Sequence, residues 1–386
     1  MVKFLRWFVC CFCAVSACLS AADAVPEFPD GFPEEFRELK FREKDAKLLA
    51  PGVTYYHFHF DSVIPKDVSA VLLVNEVTLT GADAADRAED MRKEIKKAKK
   101  KLNMNELAKE WKARVRTVAV SSDSKDSAFA KLKKPGDMTE MEQSDKKCVF
   151  HVLNSKITKF PVSVYYVIID WNEANVRLGL EQSGKSLKTV KDMVESHKPI
   201  AAINGAYFTF VPPRTFYPLK INGKMYEPKP GYDSHDGLCF SGKDFPVLDK
   251  EENFDKYDNV IMGYYVWKDG KYTLDNKMEK MQGILTGTTP LTAVGLNPET
   301  KRLVLFTSDG RFPKDAPGLN FYSEAYFLSI VGCTEVLSID GGGSCTMLIR
   351  DKKKLSDPMN HPSDNRKFDH KGTRSVQNCI YLVEEK

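Results

Sequence analysis

The chain has 386 residues, with 57 Lys+Arg against 53 Asp+Glu, a formal charge of +4, 42% apolar residues and 11% aromatics. That length and apolar content suffice for one large or two ordinary buried cores, which excludes a disordered polymer, a collagen-like repeat and a disulfide-dependent miniprotein. The small net charge excludes a nucleic-acid footprint spread over the whole surface. Residues 92–101 nevertheless hold seven bases and one acid, a local +6 that leaves −2 for the remainder.

Residues 1–24 read as an export signal. Lys3 and Arg6 form a basic start, Trp7 to Leu19 an apolar stretch, and Ala22-Asp23-Ala24 a cleavage site before Val25. The apolar stretch of about 13 residues falls short of the roughly 20 that span a bilayer. Val15-Ser16-Ala17-Cys18 also fits a bacterial lipobox, so two destinations stay open: secreted or periplasmic, or lipid-anchored at Cys18. Removing the signal leaves Cys148, Cys239, Cys333, Cys345 and Cys379, an odd number that requires a free thiol. With no CxxC spacing and no Cys/His cluster, no structural zinc site is expected.

Residues 25–63 supply a Phe/Pro-rich lead-in and a first strand, Val53–Asp61, with Tyr56, Phe58 and Phe60 on one face and His57, His59 and Asp61 on a polar other face. Between 83 and 117, Met91, Ile95, Ala98, Leu102, Leu107, Trp111 and Val115 recur at helical spacings, so residues 64–147 read as a charged helical insertion. Asn103 and Asn105 break its helices, and 121–147 is a linker. A core follows over 148–386. It has strands at Cys148–Val152, Val162–Asp170, Ile200–Asn204, Leu291–Leu296, Arg302–Ser308, Glu335–Ile339, Thr346–Ile349 and Cys379–Val383. Its helices are Ser186–His197 and Phe321–Val331, the latter capped by Asn320 and stopped by Gly332. Strands outnumber helices without a βαβ rhythm, so the fold class is α+β with a mixed or antiparallel sheet core and few helices.

Three strand ends run into polar residues and glycine: Asn204-Gly205-Ala206-Tyr207, Asp309-Gly310-Arg311, and Asp340-Gly341-Gly342-Gly343-Ser344-Cys345-Thr346. Each alone reads as a turn. If they converge, they form a pocket of carboxylates, an arginine and bare backbone N–H groups able to hold an anion. No P-loop is present, because no Lys follows the glycines and a β-like run takes the place of the helix.

The order of these motifs resembles the phosphodiester glycosidase family. Pro51-Gly52-Val53-Thr54-Tyr55, Ile203 to Phe208, Ile221-Asn222-Gly223, Thr292-Ala293-Val294-Gly295, Asp309-Gly310-Arg311, Asp340 to Met347, Pro362-Ser363 and Arg374 follow the family's sequence of motifs over about 50–63 and 148–386. The resemblance implies hydrolysis of a sugar-1-phosphodiester in a glycan or the cell envelope. On that reading Arg311 and Arg374 clamp the phosphate, and Gly341, Gly342, Gly343, Ser344 and Thr346 line it. Asp340 or Asp309 faces the anomeric carbon, and Asn204 binds a sugar hydroxyl or positions water. No cofactor is required, and a divalent cation near Asp309 and Asp340 is compatible with the pattern. The chain departs from the family twice. Leu291 replaces the arginine of R-T-A-V-G, and Ser323 replaces the glutamate of G-M-T-L-x-E-x-A, with Glu324 one residue late. Those departures keep two other readings open: a silent relative that binds an anionic glycan, and a hydrolase of ordinary glycosidic bonds. Expected partners are the sugar-phosphate substrate and, through Cys18 or the basic 92–101 helix, the membrane or cell envelope; nucleic acid is not among them.

Overall fold

The computed structural model describes residues 25–62, 71–97, 104–121, 138–144, 146–157, 161–231, 236–273, 288–352 and 354–385. The export signal with its lipobox, and Ala98 to Lys101 of the basic run, lie outside these residues. No helix among the described residues is long and apolar enough to cross a membrane.

An eight-stranded antiparallel sheet forms the centre. In spatial order its strands are Phe41–Ala50, Val53–Phe60, Val162–Asp170, Arg302–Ser308, Thr292–Asn297, Glu335–Ser338, Tyr264–Lys268 and Lys271–Tyr272. The strand period of two sorts its side chains onto two faces, and both are covered. Tyr56, Phe58, Phe60, Val164, Tyr166 and Phe306 join one core with Phe321, Ala325 and Leu328 of the Phe321–Ser329 helix. Tyr55, Tyr165, Val167, Leu303 and Leu305 join a second core with Ile203, Met347, Ile380 and Leu382. The last four residues belong to a five-stranded antiparallel sheet ordered Lys354–Leu355, Met347–Asp351, Ala201–Asn204, Asn378–Glu384, Val176–Gln182. A third sheet, of Lys224–Tyr226, Leu219–Ile221, Asn259–Met262, Gly237–Phe240 and Val247–Asp249, contributes to both cores. The architecture is α+β, strand-dominated and antiparallel. Five free, buried cysteines are present among the described residues.

The polar face expected on the first strand is corrected: His57 and His59 are each only 4% exposed. Other residues cover that face: the His57 ring stacks on Tyr165 beside Ser163, and His59 packs against Phe368 and meets the Asp315 carbonyl at 2.8 Å. The reading of 64–147 as helical is corrected as well. Val71–Thr80, Arg114–Ser121, Met138–Ser144 and Lys147–Ile157 form a separate four-stranded sheet with the helices Ala84–Lys97 and Met104–Glu110. Met91 and Ile95 pack on Val77, Leu79 and Phe150, as their helical spacing anticipates, whereas Val115 belongs to a strand. Arg92 and Lys93, at the start of the basic run, pair with Glu89 and Asp90 one turn earlier. The helix expected at Ser186–His197 is confined to Val190–Val194 and a 3-10 turn at Glu195–His197, because Thr189 accepts from the Asp192 N–H as N-cap.

Candidate functional site

The three glycine-bearing strand ends do converge. Asn204 closes the Ala201–Asn204 strand, Asp309 follows the Arg302–Ser308 strand and Asp340 follows Glu335–Ser338. Asn204 ties the first and third: its Nδ2 donates to the Asp340 carbonyl at 2.6 Å, and its Oδ1 accepts from Thr292 Oγ1 at 2.9 Å and from the Thr346 N–H at 3.1 Å. Asn204 is fully buried and its amide is consumed by these bonds. The expected contact of Asn204 with a sugar hydroxyl or water is therefore corrected to a clip holding two sheets in register.

Asp340 is half-buried at the start of the glycine loop. Burial raises its pKa to about 6, against the lowering effects of the Ser344 hydroxyl, Arg374, the Gly341 N–H and Arg311. Arg374 donates twice to Asp364, from Nε at 2.8 Å and Nη2 at 2.7 Å, a forked pair that fixes the guanidinium plane and leaves Nη1 3.4 Å from Ser344 Oγ. Arg311 Nη1 lies 3.3 Å from Ser363 Oγ. The glycines are what let both guanidinium groups approach. A Cβ at Gly342 would meet Arg311, and one at Gly343 would meet Arg374 and Asp364. Gly342 also has φ +64°, a left-handed backbone that a side chain resists. Ser344, in this loop, and Thr346, just after it, have no exposed surface, so the expected direct contact of Thr346 with a ligand is corrected. Cys345, pushed up to about 12 by burial, is no nucleophile.

Asp309 is placed differently from expectation. It is 1% exposed, Oδ1 accepts the His361 N–H at 2.6 Å, and Oδ2 faces Ser163 Oγ at 2.7 Å, the Tyr165 hydroxyl at 2.8 Å and His361 Nδ1 at 2.8 Å. A carboxylate enclosed by four donors does not face an anomeric carbon, so that role is corrected. The sequence assigns no role to His361, Asp364 or Ser163. The polar run Asn360-His361-Pro362-Ser363-Asp364 was a signal for the first two, but only Pro362-Ser363 belonged to a motif. Among the described residues no group of three or more His, Cys, Asp or Glu side chains is arranged to hold a metal ion. A cleft of about 530 Å³ lined by Lys47, Lys198, Arg350 and Lys352 shares none of these residues.

The two departures have separate explanations. Ser323 is the third residue of the Phe321–Ser329 helix, where its hydroxyl accepts the Asn320 N–H while Asn320 Oδ1 accepts the Ser323 N–H. In T-L-x-E the glutamate occupies the corresponding place of a capping box, so Ser323 keeps a helix-capping function with a shorter side chain. Leu291 is 1% exposed within the core that includes Leu319 and Phe321, and its Cδ2 lies 3.2 Å from where a Gly341 Cβ would be. An apolar side chain therefore abuts the loop where the family carries a cation. Glu324 is fully buried beside Ser338, and burial raises its pKa to about 8.

Comparison with known proteins adds to this geometry. Residues 197–383 match the phosphodiester glycosidase family model. Among solved structures, a Burkholderia pseudomallei K96243 protein described as exported aligns with a TM-score of 0.51 at 14% identity, covering 93% of this chain and 99% of its own. The zebrafish N-acetylglucosamine-1-phosphodiester alpha-N-acetylglucosaminidase catalytic domain, auto-inhibited by its pro-peptide, aligns with a TM-score of 0.47 at 17% identity, covering 64% of this chain and 82% of its own. A hypothetical protein from Synechocystis aligns with a TM-score of 0.42 at 9% identity, covering 89% and 81% respectively. No curated protein matches. The stretch that matches the phosphodiester glycosidase family, residues 197–383, holds the Ala201–Asn204 and Met347–Asp351 strands, the Gly341–Ser344 loop, Asp309, Arg311 and Arg374.

Proposed function

We propose that this chain is an exported hydrolase that cleaves a sugar-1-phosphodiester, releasing the sugar and a phosphomonoester. The observation that carries the reading is the Asp340 carboxylate, which feels the charge of both Arg311 and Arg374, at the start of a loop whose glycines admit both guanidinium groups. A phosphomonoester has a second pKa of about 6, so the leaving group needs little protonation. What the reaction needs is a clamp for the anion and a negative charge opposite the sugar ring as it becomes positive. Arg311 and Arg374 supply the clamp, with the backbone of Gly341 to Gly343, and Asp340 supplies the charge. Ser323, as part of a helix cap, gives no support to a silent relative, which leaves Leu291 as the remaining argument for one. Leu291 makes the clamp less cationic than the family pattern and favours a substrate with a single phosphodiester charge. Export rests on the signal-like residues 1–24, and the net +6 of the 92–101 run suits an anionic envelope.

The test is incubation of the full chain with a panel of sugar-1-phosphodiesters, with released sugar and phosphomonoester both quantified and ¹⁸O-water used to show which bond breaks. Turnover with ¹⁸O in the sugar, lost in Asp340→Asn and weakened through KM in Arg374→Ala, is the expected outcome. Failure of every phosphodiester alongside hydrolysis of an uncharged glycoside overturns it.

A further inference from the structure

Asp309 and His361 form a buried pair that the phosphate clamp leaves without a task. We infer that His361 takes the proton of the attacking water and that Asp309 is its positioning residue, an inference that rests on the hydrolysis proposed above.

A carboxylate oxygen only accepts, so the 2.8 Å contact of Asp309 Oδ2 with His361 Nδ1 puts the ring hydrogen on Nδ1 and leaves the lone pair on Nε2. Asp309 is in turn immobilised by the His361 N–H, Ser163 and Tyr165. The ring is clamped by Phe368, stacked with centroids 3.7 Å apart, and by His370 at 4.4 Å, while 8% of the residue stays open to solvent. This is the orienter, base and free nitrogen order by which a histidine is prepared for proton transfer.

Connectivity joins the pair to the clamp. The tripeptide Asp309-Gly310-Arg311 carries the orienter and one phosphate-binding cation. The segment from His361 to Asp364 carries the base, the Ser363 hydroxyl 3.3 Å from Arg311, and the carboxylate that holds Arg374. Behind the pair, His57 Nε2 lies 3.2 Å from Ser163 Oγ and the His57 ring stacks 4.1 Å from Tyr165. Burial lowers the pKa of His57 to about 3, so it stays neutral and adds no competing charge at working pH. The titratable and charged groups around His361 are thus Asp309, Tyr165, His57, His59, His370 and, through Ser363, Arg311.

In the step itself, the water oxygen bonds to the anomeric carbon while the bond from that carbon to the phosphate oxygen breaks, its electron pair leaving with the phosphate. One water proton moves to His361 Nε2. The products are the sugar with its new hydroxyl, a phosphomonoester dianion and an imidazolium paired with Asp309, which returns its proton to solvent.

The experiment compares the full-length wild type, His361→Gln, Asp309→Asn and the double variant on a sugar-1-phosphodiester across pH, with circular dichroism to confirm folding and ¹⁵N imidazole spectra to read the His361 tautomer. His361→Gln should lower kcat by about 10²–10⁴-fold with KM little changed, and its acidic limb should lose one unit of slope. The double variant should lose little beyond the worse single one. Wild-type kcat and an unchanged acidic limb in His361→Gln overturn the inference and leave the proposed function intact. A hydrogen on Nε2 in the spectra overturns it even where Asp309→Asn does not fold. A wild type inactive on every phosphodiester removes the hydrolysis and the proton step together.

Discussion

Glu324→Gln tests the energetics of the core beside the site. Glu324 stands in the Phe321–Ser329 helix with none of its surface exposed, and its carboxylate makes no hydrogen bond of good geometry among the described residues, only a poorly formed contact with the Ser338 hydroxyl. Burial raises its pKa from an ordinary 4.5 to about 8, with the Ser338 hydroxyl pulling the other way. Below pH 4.5 both folded and unfolded chains carry the proton and the residue costs nothing in charge. As pH rises from 4.5 to about 8 the unfolded chain loses that proton and the folded one keeps it, so stability falls throughout the window. At about 1.4 kcal/mol per pH unit the loss approaches about 5 kcal/mol at the upper end. Glutamine keeps the shape and cannot ionise; its buried amide carries a pH-independent cost of about 1–3 kcal/mol for lacking partners. Urea unfolding of both proteins at a series of pH values should therefore show the variant equal or weaker in acid and more stable by a few kcal/mol at pH 8. A wild-type-minus-variant difference that does not change with pH refutes the assignment of a neutral, buried acid.

Four further outcomes follow from the same geometry. Ser323→Ala removes one half of the helix cap and should cost about 1 kcal/mol, whereas Ser323→Glu should restore stability without altering kcat, measured by urea unfolding and turnover. Asp340→Asn should abolish turnover while raising the melting temperature at pH 8, because a carboxylate whose pKa is raised to about 6 is held there at an energetic cost; a variant that is both inactive and less stable contradicts this. Gly343→Ala pushes on Asp364 and Arg374, so it should raise KM for a phosphodiester more than it lowers kcat. His57→Gln should resist acid better than the wild type between pH 6.5 and about 3, the range in which protonation favours the unfolded chain, and unfolding followed by near-UV dichroism reads it directly.

How much of this was legible in the sequence depended on whether one short window contained the cause. The Arg302–Ser308 strand and the Asn320 cap were readable because a strand's alternation and a cap's side chain are local. The third sheet was not anticipated, because its strands run to only three or four residues and are stabilised by partners far along the chain. His57 was misplaced for the same reason: alternation shows that it opposes Phe58, but not that the opposite face is also covered. Within the site, Arg311 and Arg374 lie against Gly342 and Gly343, and both act on Asp340. Asn204 and Asp309 differ, since a motif records which residues meet and not which of them is left with a free oxygen. Only the count of donors around each carboxylate and amide decides that.

That count also explains why His361 is more informative than either aspartate. Removing Asp309 leaves four hydrogen-bond donors buried without that acceptor, so any loss of activity mixes chemistry with unfolding. Removing the His361 ring vacates a partly open position whose backbone N–H still reaches Asp309, and the pair fails only in its proton-carrying part. The Ser163 and Tyr165 hydroxyls then remain to satisfy the carboxylate. A fold that spends a fully buried acid, two hydroxyls and a backbone N–H to orient one imidazole edge beside the Arg311 segment constrains that edge far beyond the needs of packing. Stacking alone would be met by any flat ring; the 2.8 Å contact at Nδ1 is the part that a phenylalanine there would not reproduce. Replacement of His361 by phenylalanine should therefore keep the stack on Phe368 and much of the stability while losing turnover as fully as glutamine does. A His361→Phe variant that retained turnover would show the ring to be packing and nothing more.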